Sequence, residues 1–545
     1  MRSLKDYAST LLLGIALSAG CSALGHASDD SYVATAGEAV VKTAQGELQG
    51  FRDRGVYTFR GVPYAKAARF MAPTAPDAWS GIRLATNYGA VCPVPEMTAV
   101  STDEQFNPHR YLPASENCQS LNIWTPEASG EKKRPVLVFL HGGGFTNGSS
   151  IEGEGYDGRN FADLGDAVVV TLNHRLNVLG ALDLSAFGDR YKASSNPGMR
   201  DIVAALQWVH QNINMFGGDP ANVTIMGQSG GGGKVRTLMG IADAKDLFAK
   251  AIVMSGTGSS AANPKDVSTA IAKHTLENLG LTAETVAQIE TTPYPALLAA
   301  SMKALKQTEA DGLGKAISWR PSVDGSFIPA DPVTEGWQKY SSDKPLMIGN
   351  VMEETTTVIG NNNSALYADN WTKWSKDQVL SKLTEKFGTK AQGIADAWQA
   401  AYPRDPLSRV LVFANATRTG VLGAADVKVK SGAAPVFVYL YKWNPPVLDG
   451  IAGAWHVSDV PMALYNADRT PQSFGGGEAA RSMSFDMARS WINFMRTSNP
   501  SNPGIPDWTS YTPENGATML FDDYSILGRQ HDKALLELMG NPNKS

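Results

Sequence analysis

The chain has 545 residues, 43% of them hydrophobic and 19% charged, a composition that can bury a large core and excludes a disordered polymer. Its formal net charge of −5, with 48 Lys and Arg against 53 Asp and Glu, leaves no basic footprint for nucleic acid. About 150 residues per domain would give three or four units, but α/β enzymes often exceed that figure as one domain.

At the N-terminus, Arg2 and Lys5 precede an apolar run over residues 8–19. That run is too short to span a membrane comfortably and has the character of a signal-peptide h-region. Gly25-His26-Ala27 offers small residues for cleavage before Ser28, so residues 1–27 are expected to leave as a signal peptide. Lipidation at Cys21 ranks lower, because Leu17 stands one place too far from the cysteine. A merely hydrophobic N-terminal helix is the remaining reading. Either export route places the protein outside the cytoplasm, secreted or periplasmic, with no membrane span. If Cys21 is removed or lipidated, Cys92 and Cys118 remain. An oxidising compartment would pair them, closing a loop of about 26 residues worth roughly 3–4 kcal/mol. Two buried thiols are the alternative if export fails. Metal binding is disfavoured, since no histidine sits at ligand spacing beside either cysteine.

Residues 39–64 read as short strands and turns. Residues 135–140 (PVLVFL) and 166–172 (DAVVVTL) are near-continuous apolar runs, as buried parallel strands require. Residues 197–216 carry helical periodicity through Ile202, Ala205, Leu206, Val209 and Ile213. Further strands are expected at 222–226, 251–254, 345–349 and 435–441, with a helix after the glycines at 230–233. Strand and helix alternating at this rhythm predict an α/β fold with a central, mostly parallel sheet covered by helices on both faces. Two helix-rich stretches, about 263–316 and 364–432, are expected as cap insertions over the C-terminal strand ends, where such sheets bind ligands. No Pro- or Ser-rich linker divides residues 28–545, so they are expected to form a single domain.

The stretch TIMGQSGGGGKV at 224–235 carries the chemistry. Each interior Gly costs a helix about 1 kcal/mol relative to Ala, so four in succession demand a reason. A phosphate-binding P-loop fails twice: Val235 stands where a hydroxyl is required, and Gln228 where the first glycine should be. The pattern G-x-S-x-G is satisfied by Gly227, Ser229 and Gly231. It describes a strained strand-to-helix turn that exposes a nucleophilic serine, with small residues on both sides so that strand and helix can approach. His141-Gly142-Gly143-Gly144 directly follows the PVLVFL strand and reads as an H-G-G-G oxyanion loop.

With these residues in view the sequence resembles the type-B carboxylesterase family, the cholinesterase-like branch of the α/β-hydrolase fold. The resemblance runs from about residue 38 to 525. It rests on FRGVPYA at 59–65, SENCQSLNIWTP at 115–126, and the long block at 196–231 that ends in GQSGG. It implies a serine carboxylesterase with a Ser-His-Glu triad and an acyl-enzyme intermediate, acting on small-molecule esters without metal or organic cofactor. Ser229 takes the nucleophile's place. Glu354 takes the acid's, five residues after Gly349, with Glu353 as the neighbouring alternative. His456 takes the base's, in Gly453-Ala454-Trp455-His456 followed by Asp459. Of the other histidines, His26 lies in the leader, His141 in the oxyanion loop and His210 in the helix before the elbow. His109, His174, His274 and His531 lack a comparable setting. Backbone N–H groups of Gly143, Gly144 and Gly230 would receive the oxyanion. The resemblance also pairs Cys92 with Cys118, Arg69 with Glu116, and Arg175 with Asp201 as structural supports.

The sequence departs from the family's usual G-E-S-A-G-G at Gln228 and Gly230. With that glutamate missing, and no tryptophan between Cys92 and Cys118, choline esters are poor candidates. Gly232 and Gly233 exceed the needs of the elbow and are expected to make room for a bulky acyl group. GQSGGG and WRPSVDG at 319–325 also resemble a bacterial subset that includes fumonisin esterases, which remove polycarboxylate side chains; that is the alternative substrate class. A cholinesterase-like binding domain without catalysis is a remote third reading, since all three triad positions are occupied here.

Overall fold

The computed structural model describes residues 32–34, 37–96, 104, 106–257, 261–357 and 370–540. The expected leader, with Cys21 and the bond after Ala27, lies outside the described residues. The strands run in chain order as β1 (Tyr32–Val33), β2 (Val40–Lys42), β3 (Glu47–Gln49), β4 (Phe51–Asp53), β5 (Val56–Pro63), β6 (Ile82–Leu84), β7 (Ser120–Thr125), β8 (Arg134–Leu140), β9 (Val168–Leu172), β10 (Gly218–Gln228), β11 (Lys250–Met254), β12 (Leu346–Val351), β13 (Val436–Tyr441), β14 (Ala517–Phe521) and β15 (Ile526–Arg529). Twelve of them form one sheet, ordered β1-β4-β5-β7-β9-β8-β10-β11-β12-β13-β14-β15, while β2, β3 and β6 form a small second sheet. In the large sheet the run from β9 to β14 is parallel throughout, and its other pairs are antiparallel.

Alternation along the strands separates two cores. Leu137, Phe139, Val169, Ile252, Met347, Phe437 and Tyr439 face one cluster, which takes in the helices Arg159–Gly165 and Glu478–Thr497. Val136, Val138, Leu140, Val168, Val253, Ile348 and Val438 face the other, against the helices Pro197–Asn212 and Gly230–Leu238. Both faces are therefore covered, which is why the parallel strands read as unbroken apolar runs instead of alternating ones. This is an α/β-hydrolase fold. The helix-rich stretches contain Lys265–Asn278 and Tyr294–Ala310 in the first, and Lys376–Phe387, Ala391–Ala401 and Asn415–Ser431 in the second.

Strand order decides where chemistry can gather. The chain passes from β8 to β9 on one side, and β10 then returns to the other side of β8. At such a reversal the loops leaving adjacent strands diverge, and a crevice opens at the strands' C-terminal ends. Leu140, the last residue of β8, pairs with Gly227, so the H-G-G-G loop and the elbow leave the sheet side by side.

Candidate active site

β10 ends at Gln228 and the elbow helix starts at Gly230, with only Ser229 between them. Ser229 absorbs the turn with φ 56° and ψ −122°, a conformation that costs a non-glycine residue about 1–3 kcal/mol. Two backbone bonds hold it: Ser229 N–H donates to Met254 O at 2.8 Å, and Gly233 N–H donates to Ser229 O at 3.0 Å. The flanking glycines are demanded by contact. A Cβ on Gly227 would stand 2.3 Å from the carbonyl carbon of Gly231, and one on Gly231 would stand 2.0 Å from Leu140 O. A Cβ on Gly232 would come within 2.8 Å of Gly256 Cα. Gly232 is thus taken up by packing the elbow helix against the segment after β11, which corrects the expectation that it opens space for an acyl group. Gly233 faces only the Phe145 ring, at an ordinary 3.5 Å.

In the neighbouring loop, Gly143 and Gly144 have φ of 74° and 64°, left-handed values natural to glycine. A Cβ on Gly230 would lie 2.1 Å from Gly144 O, so all three expected oxyanion residues are in one place. Beneath them His141 is buried and stacks on His174, with ring centroids 5.0 Å apart. Burial, with the Lys234 ammonium nearby, holds both imidazoles well below their usual pKa. They are neutral supports of the loop rather than titrating catalysts.

The loops after β12 and β13 are tied together. Glu353 N–H donates to Ala454 O at 3.0 Å, and Ala454 N–H donates to the Glu353 carboxylate at 2.7 Å. This tie sets Glu354 beside His456, whose Nδ1 contacts Glu354 Oε2. Val351 N–H donates to the other Glu354 oxygen at 3.3 Å. Glu353, the alternative acid, points away: Arg409 holds it in a fork, Nε to Oε1 at 2.6 Å and Nη2 to Oε2 at 2.8 Å. On its far side the His456 ring meets the elbow, with Gln228 Nε2 lying 3.2 Å from His456 Nε2. A proton on Nδ1, given to the carboxylate, leaves the Nε2 lone pair facing the Gln228 amide. Asp459, three residues on, is fully buried and accepts a hydrogen bond from Tyr439 Oη at 2.8 Å. Burial raises its pKa to about 7, the Tyr439 bond opposing; Glu354 adds to the rise and His456 counters it.

Supports surround these groups. Cys92 and Cys118 form a disulfide with a Cα–Cα distance of 5.1 Å. Arg175 grips Asp201 at 2.8 and 2.7 Å, and its remaining nitrogen donates to Ala68 O and Met71 O. Arg69 forks onto Glu116 at 2.6 and 2.5 Å. Sequence reasoning missed Arg409, which fixes Glu353, and Lys234, whose ammonium reaches the oxyanion loop. A lysine closing a glycine run was the available signal for the second; Arg409 carried none. Among the described residues no group of three or more His, Cys, Asp or Glu is arranged to hold a metal ion. Nor is any helix there long and apolar enough to cross a membrane.

Comparison with known proteins identifies the family. The sequence pattern of the carboxylesterase family matches residues 37–534. The chain is 32% identical to the para-nitrobenzyl esterase of Bacillus subtilis (strain 168) over 493 residues, covering 89% of this chain and 94% of that protein. It is 31% identical over 495 residues to the phenmedipham hydrolase of Pseudarthrobacter oxydans, covering 89% and 95%. Among solved structures it is similar to an esterase from anaerobic Clostridium hathewayi described as able to hydrolyse aliphatic aromatic polyesters. The TM-score is 0.82 and the identity 35%, over 92% of this chain and 97% of that one. A serine strained at a strand-to-helix elbow, a glycine loop against it and a histidine on a carboxylate thus sit in a chain that belongs to the carboxylesterase family and hydrolyses carboxylic esters.

Proposed function

We propose that Ser229 attacks the ester carbonyl while His456 takes its proton, and that Glu354 is the triad acid. The observation that carries this reading is His456 itself: its Nδ1 rests on Glu354 and its Nε2 faces the elbow. Ser229 Oγ forms a bond to the carbonyl carbon, and the π electron pair moves onto oxygen. Backbone N–H groups of Gly143, Gly144 and Gly230 receive that charge, and removal of one such donor typically costs about 10²–10³ in rate. The imidazolium, stabilised by Glu354, then protonates the departing alcohol. Water, deprotonated by His456, attacks the acyl-enzyme and regenerates Ser229. Gln228, neutral where the family usually has glutamate, gives the alcohol side no negative charge, which favours uncharged esters over cationic ones. The relatives' names, a para-nitrobenzyl esterase and an esterase of aliphatic aromatic polyesters among them, direct the first assays to esters that carry an aromatic ring. Export after cleavage at Ala27 fits the Cys92–Cys118 disulfide, since such bonds persist in oxidising compartments.

The test is hydrolysis of p-nitrophenyl esters from acetate to octanoate, with a polycarboxylate ester alongside, by the wild type and by Ser229→Ala. The expected result is activity in the wild type that vanishes in the variant. Equal activity in both would refute the assignment. Turnover of the polycarboxylate ester alone would move the substrate to the class handled by fumonisin esterases.

A further inference from the structure

Lys234 lies on the elbow helix one turn beyond Ser229, fully buried. Its Nζ donates to His141 O at 2.9 Å and to Gly142 O at 3.4 Å, with the Phe145 ring centroid 5.6 Å away. Among the described residues it forms no ion pair; Glu152 acts on it only through its field. Burying an ammonium ion on two carbonyl oxygens is expensive, of the order of several kcal/mol even after relaxation. A methionine would fill the same space without that cost. The placement gains something in exchange.

The peptide unit identifies the gain. The Gly142 carbonyl and the Gly143 N–H belong to one amide, so a cation on the oxygen side polarises the N–H on the other side. It also fixes the plane of that amide in a loop of three glycines that has little stiffness of its own. We propose that Lys234 is a positioning residue for oxyanion stabilisation: its ammonium holds the His141 and Gly142 carbonyls, so that the Gly143 N–H is aimed and strengthened toward the substrate oxygen. The inference rests on the reading of Gly143 as an oxyanion donor.

The surroundings also give the device a pH dependence. Burial pushes Lys234 down to about 7, against the opposing pull of Glu152. The groups that face it are His141 and His174, both held neutral, and Glu152, whose own pKa is raised by burial and which faces Tyr156 and His109. Arg175 acts on His174 from behind. The charge is present below about pH 7 and is lost above it.

The experiment measures kcat and KM on p-nitrophenyl butyrate, and the inhibition constant of an alkyl trifluoromethyl ketone, for the wild type, Lys234→Met and Lys234→Gln. Ser229 adds to the ketone carbon, its proton passes to His456, and the carbonyl pair becomes a stable oxyanion, so affinity reports the hole directly. Expected for Lys234→Met is a kcat lower by about 10- to 100-fold, KM within about threefold, and ketone affinity falling in step with kcat/KM. Lys234→Gln, which keeps a donor without the charge, should fall between. In the wild type, ketone affinity should weaken as pH rises through about 7, and Lys234→Met should lack that decline. Unchanged kcat and ketone affinity in a folded Lys234→Met, or a loss confined to KM, would overturn the inference. If Lys234→Met does not fold, the same readings on Lys234→Gln decide: lowered kcat with ketone affinity falling in step supports the inference, and unchanged values overturn it. Inactive Ser229→Ala with unimpaired Lys234→Met would remove only this inference. Active Ser229→Ala would remove the esterase reading beneath it.

Discussion

Gly230 and Gly144 meet backbone to backbone: a Cβ on Gly230 would stand 2.1 Å from Gly144 O and 2.4 Å from Gly144 Cα. The elbow and the oxyanion loop are therefore closer here than an alanine at position 230 permits, although alanine is what the family usually carries there. Gly230→Ala should push the loop away and misalign its donors. The expected outcome is a kcat reduced by about 10²-fold with little change in KM, measured by steady-state kinetics on p-nitrophenyl butyrate. Full kcat in the variant would mean that the loop relaxes without catalytic cost.

Two adjacent glutamates separate structure from chemistry. Glu354→Gln should lower kcat steeply and leave unfolding nearly unchanged, because it alters the group that orients His456. Glu353→Gln should do the reverse. It takes the charge from the fork on buried Arg409, which keeps Asp405 as a partner, at a cost of about 1–3 kcal/mol. Paired kinetics and urea unfolding on both variants check this; a Glu353→Gln enzyme that is stable but inactive would exchange the two roles.

Asp459 gives a signed dependence of stability on pH. Its pKa rises from the ordinary 3.8 to about 7, first through burial. The folded protein therefore keeps a proton that the unfolded chain releases, and this contribution to stability is lost as pH climbs from about 4 to about 7. Tyr439, Glu354 and His456 are the groups facing it. Asp459→Asn should flatten that decline, giving a variant whose urea midpoint gains on the wild type progressively toward pH 7. Parallel pH curves for the two proteins would place the proton elsewhere.

Gly232 and Gly233 should respond oppositely to the same methyl group. Gly232→Ala drives a Cβ into the Gly256 backbone and should destabilise the protein. Gly233→Ala meets only ordinary contact with Phe145 and should gain up to about 1 kcal/mol of helix propensity. Gly232→Ala should not shift acyl chain-length preference, read from the p-nitrophenyl ester series, whereas a shift in Gly233→Ala toward shorter acyl chains would support the expected place of Gly233 beside the acyl group.

Much of the architecture was legible because it depends on local pattern. The run PVLVFL is unbroken because a strand between two helical layers is buried on both faces, and it appears as Arg134–Leu140. The strained serine was visible as G-x-S-x-G, since only small residues allow strand and helix to close around it. Composition and spacing could not supply neighbours across the sheet. Arg409 lies 56 residues from Glu353, and nothing near either one announces the other.

The sequence by itself determined the fold class and marked the elbow at Ser229 and the glycine loop at 142–144, because these are written in contiguous residues whose spacing answers a backbone requirement; His456, and a choice between Glu354 and Glu353, came only through resemblance to a family. Only the tertiary structure decided which glutamate faces the histidine, that Gln228 meets its other nitrogen, that Gly232 is occupied by Gly256, and that Lys234 turns its charge onto the oxyanion loop. Those are contacts between segments brought together by strand order, and their partners are set by the packing of the whole sheet.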